Sequence, residues 1–346
     1  TKSCTYDIYG NKLTETDANG NTTSYTYDVN NNVITITDAL GNTTQNTYDS
    51  LNRLVQVKNA RNAVVTYGYD ALGRRTTVTD ARGNCFTTEY DANGNVLSVT
   101  DPDGNILKES TFNCLNLPVT VTDPSAGTTT YEYNAIGKPS KITDALNNSK
   151  TLAYNSRGMN ISVTEPTETT STATYNALGK ITELCGPDGG NTTYTYDVVG
   201  RLTSETTPSG GTVSYEYNAH GVMSKVTNAR NQVKNINYDS IGRVVNYTSP
   251  HGVASFTYDN NGNVLTATDM RGNVTRTYDA LNRVVTYKNT HDNVVQYEYD
   301  AVGNITKLTY PDNTAVCYEY DLNNNLTKVT DWANRVTTYT YDCNNR

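Results

Sequence analysis

Apolar and polar positions alternate along this chain in short bursts, and the i, i+3, i+4 recurrence of an amphipathic helix is nowhere sustained. VITIT (33–37), LVQV (54–57) and VLSVT (96–100) have strand length and are rich in β-branched residues, which suit a pleated, half-buried surface. In TTSYTY (22–27), Thr23, Tyr25 and Tyr27 fall on one face and Thr22, Ser24 and Thr26 on the other. The pattern predicts strands from end to end.

The bursts are periodic. In YEYDAVGNITKLT (297–309) an aromatic–Asx pair, Tyr299-Asp300, is followed by Gly303 four residues after the ring. Such a pair occurs 17 times between Tyr6 and Tyr341, at 13 intervals of 21 residues, one of 22 and two of 20. The aromatic is followed by Asp in 12 copies and Asn in 5, and position four after it is Gly in 11 and Asn in 6. This is turn chemistry: an Asx side chain accepts a hydrogen bond from the backbone two residues on, and Gly or Asn tolerates the positive φ that reverses the chain. Tyr27-Asp28, Tyr69-Asp70 with Gly73, Tyr196-Asp197 with Gly200, and Tyr299-Asp300 with Gly303 are therefore assigned as structural repeat residues. A second turn follows each apolar run, as in DANGN (17–21), DARGN (80–84) and DPDGN (101–105).

Each repeat thus predicts two strands and two tight turns. A lone two-stranded unit is marginal in water, so neighbouring repeats must pair into one continuous sheet. About 34 strands cannot stay flat and open, and the expected class is all-β, with two-strand hairpins of about 21 residues building a spiralling sheet: a hollow shell, tube or barrel-like solenoid. A propeller would need two repeats per blade and fits less well. Regular spacing over residues 1–346 predicts a single repeat array, a fragment of a longer protein without its caps.

Composition agrees with strands and narrows the function. With 28 Tyr against 3 Phe and one Trp, the apolar face must rest on amphipathic rings and β-branched residues. A net charge of −8 argues against nucleic acid as a partner. No apolar run approaches the roughly 18 residues of a spanning helix, so no membrane insertion by this segment is expected. Cys4, Cys85, Cys114, Cys185, Cys317 and Cys343 are widely spaced and read as single thiols.

YDALGR (69–74), YDVVGR (196–201), YDSIGR (238–243) and YDNNGN (258–263) resemble the YD-repeat family, also called Rhs repeats, over the whole chain. That family includes bacterial Rhs and wall-associated proteins, shell components of toxin complexes, and teneurins. The resemblance implies a β-hairpin ribbon wound into a hollow shell, from a bacterial secreted or cell-surface protein, that often encloses a toxic C-terminal polypeptide. The self-cleaving element at the end of such shells has only a lookalike here, Asp101-Pro102-Asp103-Gly104, at the place of an ordinary second turn and followed by Asn105 instead of Leu.

Candidate chemistry is thin. His220, His251 and His291 sit in or beside turns with no Cys or Ser at a suggestive spacing, so no catalytic residue and no enzyme activity are expected. DANGN fails the EF-hand pattern because Gly20 is fourth from Asp17, and neither metal nor cofactor is assigned. Arg53, Arg74, Arg201, Arg243, Arg283 and Arg346 read as turn-flanking charges that bridge to carboxylates. A ligand or partner surface should break the repeat; Trp332, His251 and Tyr310 are the candidates. The leading reading is a structural shell. The alternative is a surface adhesin that binds carbohydrate, with tyrosine rings stacking on a cell-surface glycan. Expected partners are further repeats or copies joined through terminal strands, and an enclosed polypeptide cargo or glycan.

Overall fold

A computed structural model of the protein describes residues 2–346. Among the described residues there are 33 strands of three to seven residues in a single antiparallel sheet, and no helix. The strands number 33 because the last Tyr-Asp turn has no strand after it among these residues. No pairing joins the first strand to the last, so the sheet is not closed.

Two hairpins alternate. The first joins β1 (Ser3–Tyr6) to β2 (Lys12–Thr16) through the Tyr-Asp turn, and the second joins β2 to β3 (Thr22–Tyr27) through DANGN. The second kind keeps plain register, Thr16 opposite Thr22 and Thr14 opposite Ser24. The first kind slips. Between β3 and β4 (Val33–Thr37), Tyr27 faces Val33 but Thr26 faces Thr35, which leaves one extra residue on the outgoing strand. The same slip recurs at Tyr133, Tyr196, Tyr217 and Tyr299. A bulge at each Tyr-Asp hairpin adds twist once per repeat. Threonine pairs such as Thr26–Thr35 (2.5 Å) and Thr277–Thr286 (2.6 Å) link strands on the face away from the repeat tyrosines.

The chain divides into two compact units. Unit 1 holds the residues up to Glu89, Val99–Asn105 and Ala254–Arg346; unit 2 holds Tyr90–Ser98 and Ile106–Val253. Each is a one-layer sheet. Among the described residues Ala63, Ala254 and Val316 are the buried hydrophobics, and no large side chain is fully enclosed. The accessible surface is 20429 Å², against about 14,000 Å² for a compact protein of 38.0 kDa. The tyrosine core anticipated from composition is therefore a half-covered stripe and not an enclosed core.

Candidate functional site: the two turn edges of the repeat

The turn at Tyr299–Asn304 shows what the Tyr-Asp pair does. Gly303 N–H donates to the Asp300 carbonyl (3.2 Å) and Asp300 N–H to the Asn304 carbonyl (2.9 Å), with Gly303 at φ +100°. This is a β-turn closed by a residue in the left-handed region. Asp300 Oδ1 accepts from Val302 N–H (3.0 Å) and Asn304 N–H (2.9 Å), and Oδ2 accepts from Asn304 Nδ2 (2.8 Å). The Asx bond two residues on is thus joined by a second backbone bond and a side-chain bond four residues on. Asp28 repeats the arrangement with Asn32, and Asp70 and Asp197 repeat it with Arg74 and Arg201. Side-chain and backbone donors of Asn32 lower the pKa of Asp28, and the backbone N–H of Arg74 leads the lowering at Asp70. A carboxylate so surrounded is a poor proton acceptor.

The phenol is engaged elsewhere. Tyr299 Oη donates to the Val284 carbonyl (2.8 Å), as Tyr27 does to Lys12 (2.7 Å), Tyr69 to Leu54 (2.7 Å) and Tyr196 to Ile181 (2.7 Å). The acceptor is the residue opposite the preceding repeat's tyrosine, at its bulge, so each repeat satisfies a carbonyl of the one before it. Sequence reasoning assigned these rings to packing and missed the hydroxyl. The signal was the preference for Tyr over Phe. Arg53, Arg201 and Arg283 bind their own turn's carboxylate at 2.6–2.7 Å and lie over the next repeat's ring at 4.5–4.8 Å from its centre.

Successive Tyr-Asp turns also follow a neighbour rule. Where the residue closing one turn is Asn, the left-handed position of the next is Asn; where it is Arg, Lys, Leu, Met or Val, the next is Gly. All 16 junctions obey, six of the first kind and ten of the second. In the Asn–Asn junctions Nδ2 donates to the next Oδ1, for example Asn11 to Asn31 (2.7 Å), Asn32 to Asn52 (2.9 Å) and Asn325 to Asn345 (2.7 Å). In several others the long closing side chain lies over the glycine: a Cβ on Gly179 would meet Met159 Sδ at 3.5 Å, and one on Gly221 would meet Arg201 Nη1 at 3.4 Å. The second turns do not follow the rule, since Asn21 is followed by Gly41 and Asn84 by Gly104.

This repeat matches the RHS Repeat family model over residues 6–43, 48–84, 77–106, 175–212 and 196–233, and the Teneurin YD-shell model over 225–346. The chain belongs to the YD-repeat (Rhs repeat) family. No curated protein matches its sequence. Among solved structures it is similar to the crystal structure of TcdB2-TccC3-Cdc42, at TM-score 0.81 and 15% identity over 96% of this chain and 21% of that one. It is likewise similar to TcdB2-TccC3, at TM-score 0.80, 15% identity, 96% and 22%. TcdB2-TccC3 without its hypervariable C-terminal region gives TM-score 0.72, 14% identity, 98% and 25%. At these identities the likeness is one of fold, and the chain spans a fifth to a quarter of those chains. These YD repeats form a structural, shell-type β-sheet region.

Within unit 1 the two turn edges of the YD repeats meet. Asn261, third after Tyr258, donates Nδ2 to Asp17 Oδ2 (2.6 Å) and accepts from Ala18 N–H (2.9 Å). Asn323 does the same with Asp80 (2.5 Å) and Ala81 (3.1 Å). Asn344 Nδ2 donates to Asp101 (2.9 Å), but Pro102 has no N–H, and Asn344 Oδ1 is buried without a partner. Arg61 adds a clamp: its guanidinium donates to the Tyr320 carbonyl (2.8 Å) and Asn324 Oδ1 (3.2 Å) and lies 3.3 Å from Asp300. Arg82 holds Tyr341 (2.9 Å), Asp342 (3.1 Å) and Asp321 (3.7 Å) in the same way.

Of the three residues singled out for breaking the pattern, two meet in unit 1 and the third belongs to unit 2. Tyr310 and Trp332 meet edge to face at 6.2 Å in unit 1, with Trp332 56% exposed. His251 belongs to unit 2, where it lines a recess of about 630 Å³ with Tyr247, Lys234 and Pro250, and its N–H donates to Ser249 Oγ (3.2 Å). Asp101, Asp103 and Cys343 place ligand atoms within 4.8 Å of one another. The Asp101 carboxylate there already accepts from Asp103 N–H, Asn105 N–H and the Asn105 and Asn344 side chains, an ordinary turn and docking role. The six cysteines are free thiols.

Proposed function

We propose that this YD-repeat array is wall material: part of a β-sheet shell or tube, in a secreted or cell-surface bacterial protein, that encloses a polypeptide. The observation that carries the reading is a one-layer sheet whose carboxylates and phenols are engaged in holding turns and neighbouring repeats. Such a sheet separates two sides, so the array acts as a barrier. The match to the Teneurin YD-shell model and the fold likeness to the TcdB2-TccC3 structures support it. Among the described residues no helix is long and apolar enough to cross a membrane.

Cryo-electron microscopy of the natural full-length protein tests the proposal, with protease protection as a second readout. A lumen bounded by the repeat sheet, containing density that resists protease until the sheet is unfolded, is expected. A sheet with no lumen, or an internal polypeptide cut as fast in the native protein as in the denatured one, would overturn it.

A further inference from the structure

The third residue after each repeat aromatic divides the chain in two. At the five turns from Tyr258 to Tyr341 it is Asn261, Leu281, Val302, Asn323 or Asn344, and all five are half-buried. At the twelve earlier turns the same position is exposed. In unit 2 it is Leu115, Ile136, Leu178, Val199 or Ile241 at five of the eight turns, each 60–70% exposed, and the exposed Asn93, Arg157 and His220 at the other three. Apolar tips recurring along one edge mark a contact surface. In unit 1, Asn261, Asn323 and Asn344 show what covers this position: the second-turn edge of a repeat more than 240 residues away.

The complementary half is also present in unit 2. The tetrapeptide Asn-Ala-Arg-Asn occurs at 59–62 and again at 228–231. In the first copy Arg61 is 21% exposed and clamped to Asp300, Tyr320 and Asn324. In the second, Ala229 and Arg230 are exposed and the backbone N–H of Arg230 is held by Asn228 Oδ1 (3.0 Å), leaving the guanidinium directed to no partner among the described residues. One sequence is thus seen in a docked and an open state.

We propose that unit 2 joins copies of this chain edge to edge: the aromatic–Asx turns of one copy dock on the second turns of another, with Ile136 and Leu178 inserting and Arg230 clamping the Phe112 carbonyl and the left-handed Asn116. Asn116 offers that acceptor, its Oδ1 placed by Asn95 as Asn324 is placed by Asn304. The contact is heterologous, so it propagates. It differs from pairing through terminal strands and goes beyond the role as wall.

Sedimentation velocity of the 346-residue chain over a concentration series tests it, with circular dichroism as the check on folding. The unaltered chain is expected to associate with rising concentration. Arg230→Glu should weaken association by about tenfold and Ile136→Asp with Leu178→Asp by more, Arg230→Lys falling between because a lysine lacks the fork. Mixed together, the Arg230→Glu and Ile136→Asp/Leu178→Asp chains should form dimers more tightly than either chain does alone, since each retains the edge that the other lacks. A monomer at every concentration overturns the proposal, and so does association that both sets of substitutions leave unchanged.

Discussion

Asn304 Nδ2 donates to Asn324 Oδ1 at 2.9 Å, from the closing residue of one Tyr-Asp turn to the left-handed residue of the next, where φ is +67°. The bond explains why Asn replaces Gly at only some turns: glycine is the easier residue at positive φ, and Asn is used where the preceding turn closes on an Asn whose short amide reaches its Oδ1. Asn304→Ala should cost about 1 kcal/mol and Asn324→Gly about as much or less, with a coupling of about 0.5 to 1 kcal/mol in the double-mutant cycle. Asn304→Arg combined with Asn324→Gly installs the other permitted combination and should recover most of the loss. Native-state hydrogen exchange of the amides in these two turns reads each value locally, and additive effects would mean that the neighbour rule has no energetic basis.

The tyrosine hydroxyl gives a second test. Tyr299→Phe keeps the ring but leaves the Val284 carbonyl without its 2.8 Å donor, and a loss of about 1 kcal/mol is expected. Tyr299→Leu should cost more, because the Arg283 guanidinium 4.5 Å from the ring centre also loses its surface. Equal stability of Tyr299→Phe and the unaltered chain in exchange protection around Val284 would reduce the phenol to packing.

Period, strands and turn chemistry were legible because they are local: Asp300, Gly303 and the alternation in TTSYTY carry their instructions within six residues. The bulge opposite Tyr27 was not legible, since a one-residue slip depends on which carbonyl and N–H meet across two strands. The docking of Asn261 on Asp17 escaped for a related reason. Its partner lies 244 residues away, and nothing in YDNNGN distinguishes an asparagine in a docked turn from the exposed Asn30 or Asn93. The neighbour rule was readable in principle from residues 11, 31, 32 and 52, but only by comparing each repeat with the next instead of with the consensus.

Stability should hold a plateau bounded on both sides. The turn carboxylates Asp28, Asp70 and Asp197 titrate below their ordinary 3.8, held down by donors from Asn32, Arg74 and Arg201. Their contribution is present above 3.8 and is lost as pH falls through the lower folded values. Burial raises Tyr196, Tyr299 and Tyr320 above 10.0; the neutral phenol's contribution is complete below 10.0 and is lost as pH rises through the higher folded values. Thermal melts across the pH range should therefore be flat between the two limits. A peak near the isoelectric point of 5.0 with a steep fall by neutrality would contradict this balance.

Cys343 should be the slow thiol. Its Sγ lies 3.0 Å from Asp103 Oδ2, and the hydrogen bond to that carboxylate, with burial and nearby negative charge, pushes its pKa from 9.0 up to about 11. At neutral pH that leaves roughly a hundredfold less thiolate than an ordinary cysteine carries, and the thiolate is the species that reacts. Exposed Cys4, Cys114 and Cys317 should take up iodoacetamide well before Cys343 in a timed pulse read by peptide mass spectrometry. Asp103→Asn should bring Cys343 toward their rate. Because Asp103 sits in a second turn and Cys343 in a Tyr-Asp turn 240 residues later, that rate reports directly on whether the two edges are docked. Labelling of Cys343 as fast as Cys317 in the unaltered chain would mean that the edges are apart in solution.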